Sequence, residues 1–262
     1  MKPIVATPSA RTAIEACVLT WATVRAMPTE IAQWRKNPNP QPPSPLTPSQ
    51  LKNADEQTIA ALWAVSESIT GLERRTVDFS RWGAIAAPIY LGRQAIAASC
   101  ERYKVEGAWG VSPHMIPQHS LHAVSGTVSQ ILKMHGPNFG VGNGSGSAND
   151  GWITAATLLS ENLVPGIWLL LTSHVGEHLP AEEGQTEVHP PVEAVALALV
   201  PGTTSRSGLQ VRIGAEEAPS AFLDAMPEFA LGALVDELRR TDTPPAAMWR
   251  LPGVGWVEVE MR

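Results

Sequence analysis

Two uninterrupted apolar runs of strand length, Gly166 to Val175 (GIWLLLTSHV) and Val192 to Val200 (VEAVALALV), constrain the fold of this 262-residue chain more than any other feature. A strand with one wet face alternates apolar and polar residues. A run without that beat belongs to an interior strand covered on both faces. Helices can supply the cover. Ile59, Leu62, Trp63, Ser66 and Ile69 recur at helical spacing, which predicts an amphipathic helix over 54–70. Leu121, Val124, Val128, Ile131 and Leu132 form a second stripe, stopped by Gly136-Pro137, and Trp152, Ala155, Ala156, Leu159 and Leu163 form a third. Ile14 to Val24 reads as a first strand, Trp82 to Leu91 as a strand weakened by Pro88, and Gln94 to Tyr103 as a short helix. Strands and helices alternate, as in a layered α/β domain.

The last sixty or so residues have another texture. Leu209 to Ile213 and Val257 to Met261 alternate strictly and predict half-exposed strands. Between them Phe222, Met226, Phe229, Ala230, Ala233 and Leu238 outline one amphipathic helix. Near the other end, residues 37–50 (NPNPQPPSPLTPSQ) hold too many prolines for a helix or an interior strand and predict a surface loop. No internal repeat is present.

At 44% hydrophobic, the chain can bury a large core without covalent staples. Its net charge of −6 argues against nucleic acid as a partner. The basic pairs Arg35-Lys36, Arg74-Arg75 and Arg239-Arg240 read as solvated helix ends. Cys17 and Cys100 stand in unrelated contexts, so neither a disulfide framework nor a thiolate metal site is indicated, and a reducing cytoplasm fits. No signal-peptide pattern or apolar run of about 18 residues occurs, which disfavours secretion and a membrane span.

From Ser112 to Ser147 the sequence reads SPHMIPQHSLHAVSGTVSQILKMHGPNFGVGNGSGS. It contains, in order, Ser112-Pro113 with Pro117, a helical stretch around Gly126, then His135-Gly136-Pro137-Asn138-Phe139 and a glycine-rich turn. This ordered run resembles the approach to the nucleophile of a β-ketoacyl synthase, and Ser145 stands where that family carries its cysteine. The resemblance implies a thiolase-like α/β fold, the N-terminal half of a ketosynthase. Such a half has a central mixed five-stranded sheet flanked by helices, here followed by a short C-terminal helix and strands. It implies one domain over 1–262, with residues 201–262 as a divergent tail packed on the same core. It also implies dimerisation through the strand around Phe139 to Asn143, and a site built from Ser145 with Phe139, Asn143, Gly144 and Gly146.

The chemistry departs from the pattern. Condensing enzymes of the family use a thiolate and two histidines from a second half of the fold; here no histidine follows His189. A helix terminus lowers a thiol pKa into the working range but cannot ionise an alcohol, so Ser145 would need an adjacent base. His114, His119, His122 and His135 lie upstream, and sequence places none of them beside it. The resemblance therefore points to a cysteine-less, non-catalytic subunit of the chain-length-factor type in polyketide or fatty-acid-like biosynthesis. Its partners would be a ketosynthase or itself, with acyl carrier protein as a further partner.

Two alternatives stand beside that reading: an acyltransferase or thioesterase-like enzyme with Ser145 as acyl acceptor, and a free-standing acyl-group binder. Other motifs fail. Counting from Gly140, the sixth position of G-x-G-x-x-G is Ser145, and no Lys-Ser/Thr follows for a phosphate loop. Asn143 and Ser147 replace the glycines of a hydrolase elbow around Ser145. His114, His119 and His122 match no metal signature, so no metal or cofactor is expected. Glu177 and His178 follow an apolar strand, where α/β proteins place function, but read as solvated.

Overall fold

Strand β1 (Ala13–Ala26) carries the β-branched and aromatic residues of a good strand former. The computed structural model describes residues 13–37, 51–72, 77–142, 144–174, 190–202, 208–215 and 221–262. After β1 come α1 (Pro28–Lys36), α2 (Glu56–Thr70), β2 (Gly83–Ile89), α3 (Arg93–Glu106) and a 3-10 turn (Gly107–Gly110). Then follow α4 (Met115–His119), α5 (His122–Ile131), β3 (Asn138–Gly140), α6 (Ser147–Ser160), β4 (Ile167–His174) and β5 (Val192–Pro201). The tail supplies β6 (Leu209–Ala215), α7 (Ala221–Asp224), α8 (Leu231–Arg239), β7 (Ala246–Leu251) and β8 (Gly255–Met261). Residues 38–50, Arg74-Arg75, Asn143, Glu177, His178 and His189 lie outside the described residues.

The eight strands form one sheet in the order β3-β2-β4-β5-β1-β6-β8-β7. β3, β2 and β4 are parallel, and the remaining neighbours are antiparallel. The five strands β3-β2-β4-β5-β1 match the expected central sheet, and the tail strands join the same sheet because the start of β1, Ala13 to Cys17, offers its second edge to Gly214 to Gln210 of β6, and β8 and β7 follow.

The two apolar runs are β4 and β5, covered on both faces as expected. Their side chains are sorted by size. On β5, Ala194, Ala196 and Ala198 face the layer holding α2, while Val195, Leu197 and Leu199 face the layer holding α6 and α8. Small residues let a helix axis approach a sheet closely. α2 answers with Ala60, Ala61 and Ala64, and it is buried on nearly every side rather than amphipathic. Its start is fixed by Asp55, whose carboxylate accepts from the Gln57 N–H at 2.8 Å. On the other layer Gly151 of α6 lies where a Cβ would sit 2.7 Å from the Ala87 Cβ of β2, so only glycine permits this helix–sheet spacing.

Pro88 sits inside β2 near its C-terminal end. Ala84 and Ala86 bond to the β3 side, and Pro88 has the same orientation, but β3 has already ended at Gly140. Its missing N–H lies past the last paired residue of β3, at the end of the ladder.

Three expectations need correction. Leu163 lies beyond the end of α6 and is exposed, because Asn162 turns the chain with φ 52°. β3 stops at Gly140, so of the expected strand over 139–143 only Phe139 and Gly140 are strand, Val141 and Gly142 are irregular, and Asn143 lies outside the described residues. The single tail helix is two, α7 and α8, split around Pro227; the buried face of α8 is Leu231, Leu234, Val235 and Leu238. Periodicity had also left α1 and β7 unseen.

Candidate functional site

The C-terminal ends of the parallel strands β2, β3 and β4 lie side by side, the place where open α/β sheets present loops to ligands. Backbone contact shapes the bend that joins β3 to α6. A Cβ on Gly140 would fall 2.1 Å from the Leu121 carbonyl oxygen, so the strand end rests directly on the start of α5. Gly142 has φ +82°, and a Cβ there would meet the Ser147 hydroxyl at 2.5 Å. Ser147 is 1% exposed; its Oγ accepts from the Gly144 N–H at 2.9 Å and donates to the Gly144 carbonyl at 2.8 Å. The bend thus closes on itself through one buried hydroxyl.

Beside it, Gln57 of α2 reaches under the strand ends. Its Nε2 donates to the Ile89 carbonyl at 2.9 Å and its Oε1 accepts from Thr172 Oγ1 at 2.8 Å, tying α2 to β2 and β4. β2 is followed by Tyr90, a bulky residue with φ 59°, and the Arg93 guanidinium lies 4.0 Å from its ring centroid. His119 backs onto Gly92, and its Nδ1 is 3.8 Å from Asp55 Oδ2.

No protein-family model matches the sequence, and no curated protein matches it. Solved structures do share its architecture. The ishigamide ketosynthase/chain length factor superposes with a TM-score of 0.55 at 16% identity, covering 80% of this chain and 71% of that one. A β-ketoacyl synthase from Burkholderia phymatum gives 0.51 at 9% identity, with 82% and 67% covered. A type II polyketide synthase acyl-carrier protein in complex with its ketosynthase gives 0.51 at 14% identity, with 72% and 63% covered. The chain has a ketosynthase-like, thiolase-type fold. It spans 63 to 71% of the length of these three proteins.

Within the ketosynthase-like frame, Ser145 occupies the strand-to-helix bend two residues before α6, and its side chain is exposed. Gly146 is the N-cap of α6 and offers no side-chain cap. Gly144 is held by Ser147, and Phe139 projects from β3, 45% exposed. Asn143 lies outside the described residues.

The upstream histidines disperse. His119 turns to Asp55, and His114 is exposed at the start of α4. His122 and His135 line a separate groove of about 460 Å³ with Lys133, Gln130 and Asn138. Among the described residues no hydrogen bond joins a histidine to Ser145, and no group of three or more His, Cys, Asp or Glu side chains could hold a metal. None of the described helices is long and apolar enough to cross a membrane.

Sequence reasoning missed Ser147, Gln57, Asp55 and Tyr90. Only Asp55 carried a local signal, an N-cap residue directly before a helical stripe. Ser147 and Gln57 act through contacts that the fold creates.

Proposed function

We propose that this chain is a non-catalytic, ketosynthase-like subunit of polyketide or fatty-acid-like biosynthesis, a counterpart of a chain length factor. The observation that carries the reading is Ser145 itself: an exposed hydroxyl at the bend, with no histidine bonded to it. A hydroxyl keeps its proton at neutral pH unless a base takes it, so the position lacks the thiolate that makes such a bend reactive.

In this reading the free edge of β3 pairs with an active ketosynthase or a second copy, and the bend helps shape an acyl tunnel or a docking place for acyl carrier protein. The edge supports it. Parallel pairing with β2 uses Pro137, Phe139 and Val141, which turns the peptide groups of Asn138 and Gly140 outward. A cytoplasmic site of action goes with this role.

Intact-mass measurement after incubation with acyl-CoA and acyl-carrier thioesters tests the claim. No adduct is expected. A covalent acyl group mapped to Ser145 would overturn the non-catalytic reading in favour of an acyltransferase. Co-expression with a ketosynthase and carrier protein encoded nearby should yield a complex, and persistent failure of both to associate would count against the subunit role.

A further inference from the structure

Between Glu106 and Asp150 the chain carries no carboxylate side chain, although it holds 25 Asp and Glu in all. Lys133 is the one lysine or arginine of that span. The fold brings it together with His122 and His135 in the groove between α5 and the start of β3. The amides of Gln130 and Asn138 line the same groove, and no Asp or Glu does. Among the described residues Lys133, His122 and His135 enter no ion pair, and Asn138 Oδ1 is buried without a hydrogen-bond partner. A buried polar atom left in that state calls for a donor.

Two residue choices at this groove run against local preference. Lys133 has φ 53° directly after the C-cap of α5, a left-handed position where glycine is the usual residue. The turn around it is pinned, because the Met134 N–H donates to the Ser129 carbonyl at 2.9 Å and the His135 N–H to the Ser80 carbonyl at 2.8 Å. Gly126, a poor helix former, stands in the middle of α5 and leaves room for the His122 imidazole; a Cβ there would lie 3.1 Å from its Nε2. A lysine where glycine is preferred and a glycine where alanine is preferred both weaken the fold, and both shape the same groove.

We propose that this groove binds a small phosphomonoester, with Lys133, His122, His135 and the Gln130 amide on the phosphate and Asn138 Oδ1 accepting from a hydroxyl of the carbon skeleton. The donor set selects the anion. A carboxylate offers two oxygens to four donor side chains, whereas a phosphomonoester offers three and up to two charges. A metal cation would meet the Lys133 ammonium and no carboxylate. The net charge of −6 opposes a nucleic-acid backbone, so the phosphate belongs to a small molecule. At about 460 Å³ the groove has room for a skeleton beside the phosphate. The inference stands apart from the subunit role proposed above.

Calorimetric titration of the full chain with glycerol phosphate, inorganic phosphate and glycerol tests this. Glycerol phosphate should bind in the millimolar range or tighter, inorganic phosphate about threefold more weakly, and glycerol not at all. Lys133→Gly should weaken glycerol phosphate binding about tenfold without lowering the urea midpoint, because the left-handed position suits glycine. Gly126→Ala should push the His122 ring aside and weaken binding about threefold, again with no loss of stability. Losses in variants as stable as the parent cannot come from misfolding. Asn138→Ala should erase the preference for the ester over inorganic phosphate. A chain that ignores glycerol phosphate at millimolar concentration overturns the inference, as does binding that Lys133→Gly leaves unchanged. Inorganic phosphate that binds the unaltered chain as tightly as glycerol phosphate overturns the choice of an ester.

Discussion

At the β7 edge of the sheet the outward peptide groups of Arg250 are taken, and the Ala246 N–H is bound by Glu237 Oε1 at 2.8 Å. Arg250 donates its N–H to the Pro227 carbonyl at 2.8 Å and accepts from the Phe229 N–H at 2.9 Å, a short parallel bridge that seals the strand. Phe229 anchors the seal between Trp152 and Trp249, at centroid distances of 6.3 and 5.8 Å, and Pro244 and Pro245 precede the strand. At the β3 edge, three residues long, nothing comparable is found among the described residues, and Phe139 lies half in solvent. Both edges carry the same unpaired backbone groups by construction, and an uncovered edge invites pairing with another chain. One edge is bridged from within and the other carries no such bridge among the described residues, so the proposed pairing is assigned to β3 rather than to the tail.

Unseating the seal should have the largest effect. Phe229→Ala is expected to cost about 2–3 kcal/mol, read as a lower urea midpoint, and to add concentration-dependent light scattering as β7 is freed. Stability that stays put would mean that the two edges are less different than their hydrogen bonds suggest.

The bend beyond β3 gives a sharper contrast between neighbouring serines. Ser147→Ala strands the Gly144 N–H, while the Gly144 carbonyl keeps the Ser147 backbone N–H at 3.1 Å, and should cost about 1–2 kcal/mol. Ser145→Ala, at an exposed hydroxyl, should stay within about 0.5 kcal/mol. If the two lose equally, the bend is not closed through Ser147.

On the open edge, Phe139→Asp should change stability by no more than about 0.5 kcal/mol while abolishing co-purification with a ketosynthase. Retained association would remove β3 from the interface.

The smallest effect lies away from both edges. Partial desolvation pushes the Glu67 carboxyl above its ordinary value of 4.5, partly opposed by Arg239. A folded-state pKa above the unfolded one means that the folded chain holds this proton more tightly, so ionised Glu67 weakens the fold at neutral pH. Glu67→Gln should therefore raise the urea midpoint slightly at pH 7, and the gain should vanish as pH falls below the unfolded value. A gain that grows in acid would reverse the assignment.

Much of the architecture could be read from residue order. The unbroken runs of β4 and β5 announced covered strands, and the stripes of α2, α5 and α6 announced the cover. The Gly-Pro approach and glycine-rich turn placed Ser145 on a strand-to-helix bend, where it stands. Legibility failed where distant segments compete. α2 carried an amphipathic stripe yet is buried nearly all round, because β1, β4 and β5 as well as α1 and α5 pack on it. The tail helix failed for a local reason, since Phe222 to Leu238 keeps its period across Pro227 although the backbone cannot. β7 was hidden because the paired strand β8 and the bridge at Glu228, rather than its own pattern, make AAMWRL a strand.

Side-chain size and periodicity act locally, and they alone determined that this chain forms a covered α/β sheet with a tight glycine bend before α6. Tertiary structure decided which hydroxyl the bend uses, where the four upstream histidines go, and which sheet edge is sealed. Each of these depends on atoms brought together from far along the chain, such as Gln57 beneath Ile89 and Thr172, or Phe229 against Trp249. No short window of residues encodes such a meeting, because its geometry exists only after the layers have packed.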